Sequence, residues 1–210
     1  MYVPKHFAEE RTEVLHAAIE RTGLATLVTL GANGLQASHL PLILDRNAGP
    51  LGTLYGHVAR GNPQWQDCVP TVEALAIFLG PDAYISPSWY ATKRETGRVV
   101  PTWNYLTVHV YGPLQTFDDP ARLREQVERL TERQEAGRDD RWRVSDAPAA
   151  FVETMLKGIV GLELPIVRLE GKWKMSQNRP EADRVGAIAG LQSTGRVAET
   201  AVAEIMQSIG

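Results

Sequence analysis

The sequence predicts a mainly β fold with added helices (α+β), in which an antiparallel sheet closes into a barrel and helices pack outside it. Three observations lead there. Short apolar and β-branched runs recur between residues 24 and 117 and again over 162–178, bounded by Gly, Pro, Asn or Asp. Helical spacing is confined to residues 8–22, to 118–157 and to the tail after Pro180. Strands that follow one another with few long helices between them favour antiparallel pairing, because a doubly wound parallel sheet needs a crossover after each strand.

Each element has its own warrant. Residues 8–22, AEERTEVLHAAIERT, put Val14, Leu15, Ala18 and Ile19 on one side and charges on the other, an amphipathic helix that Gly23 stops. LATLVTL, 24–30, reads as a strand, GANG as a turn, and LQASHLPLIL, 35–44, as the returning strand. Pro41 marks an edge or bulge there, since it has no ladder donor. The turn from Asp45 to Gly52 leads to a third strand, TLYGHV, and ARGNPQWQDC carries its end into a short helix. Residues 73–85 form a further strand, interrupted at Gly80 and Pro81. The stretch 86–104, SPSWYATKRETGRVVPTWN, has no clear period, and so long an irregular connection suits a lid or site loop.

NYLTVHVYGPLQTF, 104–117, alternates as a strand, and 118–136 begins with an acidic cap and a proline before Leu123, Val127 and Leu130 at helical spacing. A second helix follows over 147–157. Residues 162–178 supply two short strands around a Glu170-Gly171 turn, and 180–210 reads as helical pieces broken at Gly190 and Gly195. One domain over 1–210 is expected, with a helical insert at about 118–157 and a helical C-terminal tail at about 180–210.

Hydrophobic residues make up 43% and charged residues 22% of the chain, the mixture of a protein that folds around its own core. No apolar run approaches the roughly 18 residues of a spanning helix, and MYVPKHFAEERTEVLHAA lacks a signal-peptide core, so a cytoplasmic location and no membrane partner are expected. The single Cys68 excludes an intramolecular disulfide and a several-thiolate metal site, and it reads as packing. A net charge of −3 and a pI near 6.0 give no broad attraction to nucleic acid. Bases gather only at Lys93, Arg94 and Arg98 and, diluted by acids, from Arg122 to Arg143, without a helix-turn-helix signature.

Five segments run in order from residue 1 into the C-terminal tail: MYVPKHF, ASHLPLIL, GHVARGNPQW, AYISPSWY with VVPTWNY, and LKGIVGLELPI with EGKWKMSQNRPEAD. Together they resemble the PaiB family of FMN-binding split-barrel proteins, described as negative transcriptional regulators. The resemblance implies an antiparallel split β-barrel of the FMN-binding type with peripheral helices, FMN as cofactor, and a homodimer sharing two flavin sites. A DNA or regulatory protein partner is implied as well.

FMN requires cations or amides for its phosphate, polar donors for its ring, and an apolar wall. GHVARGNPQW brings His57, Arg60 and Asn62 to one strand end, where a guanidinium and backbone amides suit phosphate oxygens, although Asn62 also suits a helix cap before Trp65. The lysine often seen there in related oxidases is Ala59 in this chain. Ser38 and His39 offer polar groups towards the ring, with strand alternation allowing only one of the pair on each side. Resemblance to the terminal strand of split-barrel flavoproteins assigns Lys174, Ser176 and Arg179 to the ring or phosphate. Trp89-Tyr90 and Trp103-Asn104-Tyr105 suit stacking on a planar ligand or, equally, core packing.

No catalytic residue and no metal ligand is assigned. One functional reading is an FMN-binding negative transcriptional regulator acting as a homodimer. The alternative is a flavin-dependent oxidoreductase or NAD(P)H flavin reductase on the same barrel, which needs an open ring face and no protein nucleophile. Haem on this architecture would take an axial histidine, with His39, His57 and His109 as candidates.

Overall fold

The computed structural model describes residues 1–209. In chain order its elements are β1 (Ala8–Glu9), α1 (Thr12–Thr22), β2 (Leu24–Gly31), β3 (Gly34–Pro41), β4 (Ile43–Asp45), β5 (Thr53–Ala59), α2 (Gln64–Asp67) and β6 (Ala74–Ile85). There follow α3 (Ala91–Thr96), β7 (Thr102–Gly112), β8 (Gln115–Phe117), α4 (Pro120–Glu135), α5 (Ala149–Lys157), β9 (Ile159–Pro165), β10 (Arg168–Lys174), α6 (Glu181–Ser193) and α7 (Val197–Ser208). They form two compact units. The first comprises Met1–Ala18, Leu79–Val108 and the chain from Glu170, and the second Ile19–Phe78 with His109–Leu169.

In the first unit the strand order is β1-β10-β7-β6, with β1 antiparallel to β10 and Ala8 opposite Lys172. Gly171 lies inside β10 rather than at the expected turn, because a Cβ there would sit 2.2 Å from Leu15 Cδ2 and 2.7 Å from the Glu9 carbonyl. The boundary between the two strands, β9 and β10, falls instead between Pro165 and Arg168. Gly80 and Pro81 likewise do not interrupt β6, where a Cβ on Gly80 would come 2.9 Å from Leu106 Cδ2. The expected break at Gly190 is also absent: α6 runs through it, and a Cβ at that position would lie 2.2 Å from the Trp89 indole. A Cβ on Gly186 would likewise lie 2.0 Å from the Trp89 carbonyl oxygen, so Trp89 packs directly on helix backbone. The break that does occur is at Gly195, with φ +67°. The stretch 86–104 is more regular than its sequence suggests. It holds a 3-10 turn at Pro87–Trp89, then α3, then the start of β7.

The second unit is built on the β2–β3 hairpin, in register from Leu24 opposite Pro41 to Gly31 opposite Gly34, with β6 on the other side of β2. The expected strand 35–44 is two strands. Pro41 ends β3, an edge strand, and after Leu42 the chain joins a second antiparallel sheet of order β4-β5-β9-β8. A satellite core of Leu123, Val144, Val152 and Leu156 holds α4 and α5, with Phe117 and Ile159 packed against it. Asp119 caps α4, its Oδ1 accepting from the Arg122 amide at 2.9 Å. Among the described residues no helix is long and apolar enough to cross a membrane, and no group of three metal-ligating side chains occurs.

Candidate functional site

Strand alternation brings Lys172 and Lys174 to one face of β10. The Lys172 ammonium donates to the Tyr2 carbonyl at 3.1 Å and lies 5.2 Å from the centre of the Tyr105 ring. The Lys174 ammonium donates to Thr102 Oγ1 and to the Trp103 carbonyl and lies 5.9 Å from the same ring. Beyond the strand, Arg179 stands 5.1 Å from the centre of the Tyr90 ring. None of these three cations is paired with a carboxylate among the described residues. Burial first, then the charges of Lys172 and Arg179, holds the Lys174 ammonium below the usual lysine range. Like charges gathered without an acid make a place where an anion is stabilised.

The turn after β10 aims this cluster. Ser176 is buried with φ +63°, a left-handed conformation that costs a non-glycine residue roughly 1 kcal/mol. Local bonds hold it there: Gln177 Oε1 accepts from the Met175 amide at 2.8 Å, Gln177 Nε2 donates to the Trp173 carbonyl at 2.6 Å, and the Arg179 amide donates to the Ser176 carbonyl at 3.0 Å. Ser176 Oγ donates to Asn104 Oδ1 at 3.1 Å. The neighbouring Tyr90 hydroxyl is buried without a well-formed hydrogen bond, and burial raises its pKa against the opposing charge of Arg179. Tyr90 and Trp89 belong to the packing around α6, whereas Trp103 is 54% exposed.

In the second unit Asn62 Nδ2 donates to Ser38 Oγ at 2.8 Å, while Asn62 Oδ1 accepts from the Gln64 amide at 3.0 Å. Buried Gln64 then donates to the Leu27 carbonyl and to Thr29 Oγ1, which pins α2 to the hairpin. Ser38 and His39 point to opposite sides of β3. His39 is exposed, with Nδ1 2.9 Å from Thr26 Oγ1. His57 Nδ1 lies 3.0 Å from Gln126 Oε1 on α4. Arg60 donates to the Lys157 carbonyl at 2.9 Å and the Ile159 carbonyl at 3.0 Å, capping the end of α5, with Asp118 at 4.0 Å. Ser38 and Asn62 therefore meet, whereas His57 and Arg60 serve the contacts of α4 and α5.

Sequence reading passed over Lys172, Thr102 and Gln64. Lys172 was detectable, since a residue two before Lys174 in a strand shares its face. Thr102 and Gln64 carry no local signal, because their roles depend on which strands lie beside them.

The family model described as "Putative FMN-binding domain" matches residues 1–168. The chain is 34% identical over 207 residues to the protease synthase and sporulation protein PAI 2 of Bacillus subtilis (strain 168), covering 99% of this chain and 97% of that one. That match extends over the segment bearing the three cations. Among solved structures, the flavocytochrome Anf3 from Azotobacter vinelandii is similar with a TM-score of 0.63 at 14% identity, over 88% of this chain and 78% of that one. The FAD and heme binding protein from Mycobacterium smegmatis gives 0.59 at 15% identity, over 86% and 79%. These two likenesses establish the α+β split-barrel fold with its antiparallel sheets. The chain belongs to the PaiB family of FMN-binding proteins, with FMN as its cofactor.

Proposed function

We propose that the protein holds the FMN phosphate at Lys172, Lys174 and Arg179, works as a homodimer, and regulates transcription in response to flavin. The observation that carries the reading is the cluster of three cations with no carboxylate partner beside Tyr105 and Tyr90. A phosphate carrying close to two negative charges relieves their mutual repulsion and accepts charge-assisted hydrogen bonds from both ammonium groups and the guanidinium. Ser176 and Asn104 add a hydroxyl and an amide beside them. Bound FMN supplies one- and two-electron redox chemistry; the residues of this chain bind and orient it.

The dimer reading rests on an open sheet face in the second unit. Cross-strand register places Thr26, Val28, Ala37, His39, Leu75 and Ile77 on one side of β6-β2-β3, and all are at least partly exposed. An apolar sheet face of that kind suits an isologous partner. Regulation is supported by the five-segment resemblance, and the net charge of −3 favours a protein partner over direct DNA contact.

The test is a titration of the purified protein with FMN, followed by quenching of flavin fluorescence. Saturation near one flavin per chain, weakened by about tenfold or more in Lys174→Gln, supports the site. Absence of saturation at high micromolar FMN overturns it. Sustained NAD(P)H consumption by the FMN-loaded protein would replace the regulatory reading with an oxidoreductase.

A further inference from the structure

The second unit contains a cavity of about 770 Å³ between the start of α4 and the end of α5, within the size range of small-molecule sites. Its wall is apolar where Leu123 and Leu156, members of the satellite core, meet Pro120 and Ala121. Charge is confined to the remaining residues: Arg60, Arg124 and Lys157 against Asp118 and Glu153.

These charges are not equivalent. Arg60 is committed to the Lys157 and Ile159 carbonyls, with Asp118 at 4.0 Å, and so neutralises the negative end of α5. Arg124 and Lys157 have no carboxylate partner among the described residues. The first turn of α4, at Pro120 and Ala121, also lines the cavity, its N-terminus already capped by the Asp119 carboxylate. Two cations are thus available to an anion, while Asp118 and Glu153 keep the local net charge low enough to disfavour a dianion.

We infer that this cavity binds a monoanionic carboxylate with an apolar body, its carboxylate on Arg124 and Lys157 and its hydrocarbon on Leu123, Leu156, Pro120 and Ala121. The class follows from the pairing of an apolar wall with a weakly positive rim. A phosphate ester meets two acids, and an alkylamine meets the two unpaired cations.

Isothermal titration calorimetry of the full chain with decanoate, decyl phosphate and decylamine tests the assignment. Saturable decanoate binding is expected, tighter than for either analogue, and weakened at least tenfold in Arg124→Gln/Lys157→Gln. Ala121→Trp fills the cavity from an exposed helix position and should remove binding; should that variant fail to fold, the double surface variant decides. No decanoate binding at low millimolar concentration, unchanged binding in the double variant, or tighter binding of decyl phosphate or decylamine overturns the inference. FMN titration of the same variants should remain at the wild-type value, since neither Arg124 nor Lys157 belongs to the cation cluster.

Discussion

Lys174 carries a burden that alkaline titration makes visible. Its ammonium is held below the ordinary lysine range by burial and by the positive charges of Lys172 and Arg179. A bound phosphate favours the protonated form and raises that pKa again. Below the depressed value the group is charged with or without ligand, so it gives affinity no pH dependence. Above that value free protein has lost a proton that the complex retains, and FMN affinity falls as the pH rises through the window. Lys174→Gln should flatten this alkaline arm as well as weaken binding, which fluorescence titrations at a series of pH values will read. At this scale the sequence was informative about residue type and silent about partner. Lys174 and Ser176 stand in one legible motif, whereas nothing near Arg60 in sequence reveals the Lys157 and Ile159 carbonyls to which its guanidinium donates.

Elements were legible wherever the determining interaction is local. Asp119 caps α4 three residues before the amide it accepts from, and Pro41 ends an edge strand because of a donor missing from its own backbone. Glycine was read less well for the opposite reason. Gly171 and Gly190 looked like breakers, yet each sits inside an element because another side chain occupies the volume of a Cβ. Gly190→Ala puts two effects in competition: helix propensity gains about 1 kcal/mol, while displacing the Trp89 indole costs about 1–3 kcal/mol. The packing term prevails, and urea denaturation should show a net loss of stability. A midpoint above wild type would mean that the indole moves aside freely.

Over the whole molecule, the antiparallel class was readable from strand spacing, but the division into two units was not, because pairings such as Ala8 with Lys172 join residues from opposite ends of the chain. The proposed homodimer rests on the partly exposed face of β6-β2-β3 that strand register defines. Ile77 pairs with Thr26 at the middle of that face, so Ile77→Asp should shift sedimentation from dimer towards monomer by burying an unpaired carboxylate at the contact. A variant that still sediments as the wild type places the dimer contact elsewhere.

The assembly of the first unit from three separated stretches has a consequence for synthesis. A nascent chain that has reached Leu169 already contains every residue of the second unit, yet it lacks Lys172, Lys174 and Arg179 altogether. On the proposed assignment, flavin phosphate has no cation cluster to occupy until Arg179 has been made, and a product truncated before Glu170 cannot compete for the cofactor through that cluster.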